Sequence, residues 1–142
     1  VYLPRVWWMP QALIDLAAGR NVQPIYGETV AEKNANSLFE WLKNFGPTFG
    51  WKRTASLEEM QDAANNGQVA VICAANRIPN RSGHIVLVVP ETNANKAERT
   101  DGVVVKPLQS QAGRNNHNYH TDLWWVRLAS TYREHGFWIN AS

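Results

Sequence analysis

The chain has one cysteine, Cys73, so it can form no internal disulfide, and cysteine usage does not fix its redox compartment. It has no apolar run approaching the roughly 20 residues a membrane helix needs, which argues against membrane insertion. It lacks any block of lysine or arginine. With a net charge of +2 spread among interspersed acids and bases, it carries no footprint for nucleic acid. Neither an internal repeat nor a low-complexity segment interrupts it. What it does have is apolar mass: 44% hydrophobic residues, seven of them tryptophan, in 142 residues. That suffices for one folded domain spanning 1–142 with a real core, and it excludes intrinsic disorder.

The first half reads as helical. Val1 to Ala18 is apolar and reads as a buried helical region that Pro10 should break or kink and Gly19 should end. Thr29 with Glu32 fits a capping box opening a helix to about Phe45. Along it, Leu38, Trp41, Leu42 and Phe45 fall on one stripe. Ser56 with Glu59 makes a second capping box, with Leu57, Met60 and Ala64 facing inward and Asn65-Asn66-Gly67 as the stop. The second half turns to strands: Val69–Ala75, Ile85–Val89, Val103–Leu108, and closing strands at Leu123–Leu128 and Phe137–Asn140. Asn93 to Asp101 reads as a hairpin tip and Gln111 to Asp122 as a polar loop. Helices followed by an antiparallel sheet predict an α+β fold.

One segment carries chemistry. Ser82-Gly83-His84-Ile85-Val86-Leu87-Val88-Val89-Pro90 delivers a histidine to the start of an apolar strand. Glycine beside it leaves room, and proline ends the run. A histidine on a rigid strand end is a candidate general base. No obvious nucleophile accompanies it. Cys73 lies inside the run Val69–Ala75, where a free thiol behaves as a small buried hydrophobe; a Cys73–His84 pair requires a different strand register. His117, His120 and Asp122 offer ligands for zinc, in a spacing that matches no trusted metal signature. Arg5, Arg77 and Arg81 are candidates for meeting substrate carboxylates. Trp7-Trp8 and Trp124-Trp125 are candidates for stacking on sugar rings or a peptide stem, but adjacent residues on a strand point to opposite faces, so at least one of each pair belongs to the core. Trp51 and Trp138 read as core.

The order of elements, together with Gly83-His84-Ile85-Val86-Leu87-Val88, Ala35-Asn36-Ser37-Leu38 after Val22-Gln23-Pro24, and Ala63-Ala64-Asn65-Asn66-Gly67-Gln68-Val69-Ala70-Val71, resembles the papain-like NlpC and CHAP superfamily of cell-wall hydrolases. It is most similar to small amidase effectors of type VI secretion. The resemblance implies a papain-like fold and a cysteine-type amidase or endopeptidase acting on peptidoglycan or its peptide fragments. It implies His84 as base and a third polar residue on a following strand, Gln109 or Gln111, to orient the imidazole. Glu91 is a poorer candidate, since at about 3.3 Å per residue it stands some 23 Å along the strand from His84. The family's nucleophile is a cysteine at a helix N-terminus, where the dipole favours thiolate and backbone N–H groups hold the oxyanion. Val1-Tyr2-Leu3-Pro4-Arg5-Val6-Trp7-Trp8 looks like that helix beginning just after the cysteine, which is expected immediately upstream of Val1. The resemblance further implies no metal or organic cofactor, secreted or periplasmic action, and a cognate immunity protein if the chain is an effector toxin. Without that cysteine, the expectation is an inactive module that binds cell-wall peptide or glycan.

Overall fold

The computed structural model describes residues 1–32, 34–111 and 117–141, the side chains of Glu32, His117 and Asn118 apart. It is α+β: among the described residues there are four α-helices and a mostly antiparallel set of strands. None of these helices is long and apolar enough to cross a membrane. The chain divides into two compact units, Tyr2–Asn34 and Ala35–Ser142 with Val1.

The Tyr2–Asn34 unit departs from the helix expected there. Strand β1 (Val6–Trp8) pairs antiparallel with β2 (Val30–Glu32), Trp7 opposite Ala31, and α1 (Pro10–Ala17) lies between them in sequence. Pro10 does not break this helix; it opens it from the first turn, where its missing N–H costs no hydrogen bond. Gly19, at φ 78°, follows the helix end as expected. The Thr29–Glu32 capping box does not form. Thr29 Oγ1 accepts from the Ile25 backbone N–H at 2.8 Å, bracing the preceding loop, and the chain runs on into β2. Neither Trp7, 45% exposed, nor the half-buried Trp8 is core, against expectation.

The Ala35–Ser142 unit is built on a six-stranded sheet. Its strands in spatial order are β3 (Trp51–Thr54), β10 (Tyr132–Asn140), β4 (Val69–Asn76), β5 (His84–Val88), β8 (Gln109–Gln111) and β9 (His117–His120). β4 and β5 occupy the middle, and β4 is an unbroken run of small and β-branched residues because both its faces are covered. On one face Val71, Cys73 and Ala75 meet Phe39 and Leu42 of α2 (Ala35–Asn44), with Trp51 and Trp138. On the other, Ala70, Ile72 and Ala74 join Val86 and Val88 under Met60, Ala63 and Ala64 of α3 (Leu57–Asn65) and under Trp124 and Trp125. A fully buried leucine such as Leu42 contributes about 2 kcal/mol.

Helix α3 starts as its sequence signals: Ser56 Oγ accepts from the Glu59 N–H at 3.1 Å. The stripe on α2 is rotated from the one expected. Phe39 and Leu42 are its buried centre, Phe39 standing edge-on to Trp138 at 5.4 Å, and Phe45, past the helix end, is 59% exposed. β3 was not signalled as a strand, and Leu123–Leu128 is not one: Trp124–Arg127 forms a short helix, α4, with both tryptophans buried. The stretch read as one strand, Val103–Leu108, is β7 (Val103–Lys106) followed by a bend into β8. β7 pairs with β6 (Glu98–Thr100) around Asp101-Gly102, both at positive φ as a tight hairpin turn requires. Of the expected loop Gln111 to Asp122, His117–His120 is strand β9, and 112–116 lie outside the described residues.

Candidate functional site

His84 is the first residue of β5, opposite Ala74 of β4, and is half-buried. Its position is fixed from behind by Gly83. A Cβ on Gly83 would collide with the Ala74 carbonyl oxygen and stand 2.5 Å from Asn36 Oδ1. The room that Gly83 leaves is therefore filled by the protein and does not open a cleft, as the glycine had suggested.

Asn36, in the first turn of α2, organises the loop leading to the histidine. Its Oδ1 accepts from the Asn76 backbone N–H at 2.8 Å, and its Nδ2 donates to the Arg81 carbonyl at 2.7 Å. Asn76 in turn donates from Nδ2 to the Ser82 carbonyl at 2.9 Å. The end of β4 and the start of β5 are thus tied to one helix terminus. The same loop commits Arg77, whose Nε donates to the Ser130 carbonyl at 2.9 Å, so this arginine serves the loop and is not held out toward a substrate.

The two candidate glutamines separate cleanly. Val88 of β5 faces Gln109 of β8, so His84, Val86 and Val88 share a face with Gln109 and Gln111. Gln111 reaches the imidazole: His84 Nε2 lies 2.8 Å from Gln111 Oε1. Gln109 does not. It is buried and bonds instead to the Pro107 and Asp122 carbonyls and to the indole of Trp124. An amide oxygen only accepts, so in the tautomer that carries its proton on Nε2 the imidazole donates to Gln111 and keeps the acceptor lone pair on Nδ1. The ring is flanked by Trp124, centroids 4.7 Å apart and planes at 85°.

Cys73 is excluded as partner to this base. It pairs with Ile85, one residue out of register with His84, and points to the opposite face, where its Sγ lies 3.4 Å from the Ala35 carbonyl. Burial pushes the thiol up to about 12. Glu91 is equally remote in role: Arg99 grips it with two hydrogen bonds at 2.6 and 2.7 Å, and these bonds hold its carboxyl down at about 2. Asp122 pairs with Arg127 at 2.6 Å, which lowers its carboxyl, and no cluster of three metal-ligating side chains exists among the described residues. The side chain of His117, the third member of the candidate zinc set, lies outside them.

The sequence did not place Trp124 against the imidazole or Asn36 under the loop that leads to it. Trp124 carried a usable signal, because a buried indole N–H needs an acceptor and a buried glutamine supplies one. Asn36 carried only its position next to a helix start. In comparisons with known proteins, no family model matches the chain, and neither a curated protein nor a solved structure matches it.

Proposed function

We propose that this chain is the base-bearing part of a papain-like, cysteine-type amide hydrolase that acts on peptidoglycan or its peptide fragments. The observation that carries the reading is the 2.8 Å contact of His84 Nε2 with Gln111 Oε1, made from a strand end by a residue on the neighbouring strand. It leaves Nδ1 to take a proton, which is the task of a general base. The nucleophile in this reading is a cysteine ahead of Val1.

The chemistry runs in two halves. His84 Nδ1 takes the thiol proton, and the thiolate sulfur attacks the amide carbonyl carbon. A C–S bond forms, the C–N bond breaks, and the imidazolium returns its proton to the leaving amine. His84 then takes a proton from water, the hydroxide adds to the thioester carbonyl, and the C–S bond breaks; the imidazolium returns its proton to the leaving sulfur, and the carboxylic acid loses its proton to solvent. The neutral Gln111 amide orients the ring without compensating the imidazolium charge as a carboxylate would. Such an enzyme works where peptidoglycan lies, outside the cytoplasm, and as a toxin it would be matched by an immunity protein.

One observation favours a second reading, an inactive module that binds cell-wall peptide or glycan. The single thiol of these 142 residues is fully buried on the wrong face of the sheet. The test is incubation of the protein, expressed from its whole reading frame, with peptidoglycan sacculi, new amino and carboxyl ends being mapped by mass spectrometry. The hydrolase reading expects new ends, lost in His84→Ala and after alkylation of a cysteine ahead of Val1. Intact sacculi, with Cys73 the only thiol alkylated even in denaturant, would overturn it; co-sedimentation with those sacculi would then establish the binding module.

A further inference from the structure

A ring held at one nitrogen can still rock about its Cβ–Cγ bond within the tolerance of that hydrogen bond. Gln111 anchors His84 at Nε2, and the direction of the Nδ1 lone pair then depends on what stops the ring from rotating. Trp124 stands against it, 4.7 Å away and near perpendicular. The indole is 3% exposed and is itself braced by Trp125 and Tyr132, each with centroids at 5.4 Å.

The indole is placed by Gln109. This residue is 0% exposed and uses both ends of its amide. Its Oε1 accepts from Trp124 Nε1 at 3.0 Å, while its Nε2 donates to the Asp122 carbonyl at 3.0 Å and the Pro107 carbonyl at 3.2 Å. The Asp122 carbonyl lies just ahead of α4, so one amide ties strand β8 to the entry of the helix that carries Trp124. Two glutamines on one face of one short strand therefore reach the same imidazole. Gln111 does so directly, and Gln109 through the indole.

We infer that Gln109 and Trp124 are positioning residues that set the plane of the His84 ring, and so the direction in which Nδ1 meets a proton donor. Their effect on rate rests on the hydrolase reading above; the placement of the ring does not. Holding a base in its reactive geometry is worth a large factor, and a displacement of about 1 Å can cost on the order of 100-fold in rate.

The test is nuclear magnetic resonance of the His84 ring protons in the unmodified protein, in Gln109→Met and in Trp124→Phe. In the unmodified protein the nearby indole ring current must displace the His84 ring resonances from free-histidine positions. Gln109→Met, which keeps volume and removes the amide, moves them back while Gln111 remains in place. Trp124→Phe keeps an aromatic ring but loses the Nε1–H anchor, and it gives the same movement should Gln109→Met fail to fold. Unshifted resonances in the unmodified protein, or resonances unmoved in either folded variant, would overturn the inference. On sacculi, both variants lower kcat about 10- to 100-fold with little change in KM. Absence of hydrolysis by the unmodified protein, with the ring shifts as described, would refute the hydrolase reading and leave the placement standing.

Discussion

Replacing Gly83 by alanine tests whether the histidine is held from behind. The added Cβ meets two obstacles, the Ala74 carbonyl oxygen and Asn36 Oδ1 at 2.5 Å, with Ala35 Cβ at 3.2 Å beyond them. The first is backbone in the central strand β4 and cannot swing aside. Relief must come from the start of β5, which has to move away from Ala74 by roughly an ångström. Overpacking of this kind costs about 1–3 kcal/mol, and a backbone obstacle puts the value near the upper end. At roughly 3 °C per kcal/mol for a chain of this size, Tm falls by about 9 °C. The displacement carries His84 with it, so Nε2 leaves Gln111, and on the proposed hydrolase reading turnover drops by about 100-fold. Part of the strain comes from Asn36, so the same substitution in an Asn36→Ala background costs about 1 kcal/mol less than in the parent. Thermal melts of the four proteins in this cycle, followed by circular dichroism, measure both numbers. A Gly83→Ala protein melting within about 1 °C of the parent would refute the reasoning.

Other perturbations have definite outcomes. Gln61, fully buried, accepts from the Leu108 N–H at 2.8 Å and donates to the Val89 carbonyl at 2.9 Å; Gln61→Leu strands both groups and costs about 3 kcal/mol in urea denaturation. The Glu91 carboxyl is lowered from 4.5 to about 2, so its pairing with Arg99 stabilises the fold fully above about pH 4.5 and the contribution is lost as pH falls from there toward 2. With solvent screening at this half-open pair, the loss is about 1 kcal/mol, and Glu91→Gln removes that part of the acid dependence in melts taken across the range. Cys73, with its thiol raised to about 12 and no exposed surface, resists iodoacetamide at pH 8 in the native protein and reacts on unfolding; rapid native labelling there would contradict the buried register.

The places where reading the sequence failed share a cause. Thr29 and Glu32 have the spacing of a capping box, but capping geometry is local, whereas pairing of Val30 with Trp8 is not, and the strand prevails. Leu123–Leu128 is apolar enough for a strand; the bond from Trp124 Nε1 to Gln109 pins it instead as a helical turn over the sheet. Phe45 fits the α2 stripe by period alone, yet it follows the last helical residue and points outward. Where a segment's own residues decide, as in Ser56 capping Glu59 or the twice-covered run of β4, the reading held.

The sequence by itself determined the α+β class, the central strands, the core roles of Trp51, Trp138 and Cys73, and His84 at a strand end. These follow from apolar period, punctuation by glycine and proline, and side-chain chemistry, all of which are properties of short segments. Only the tertiary structure decided that Gln111 and not Gln109 touches the imidazole, that Gln109 serves Trp124, and that the Ala74 carbonyl and Asn36 fill the space beside Gly83. Each of those facts depends on strand register and on the approach of residues tens of positions apart, and a shift of one residue in register would send every side chain of β8 to the other face.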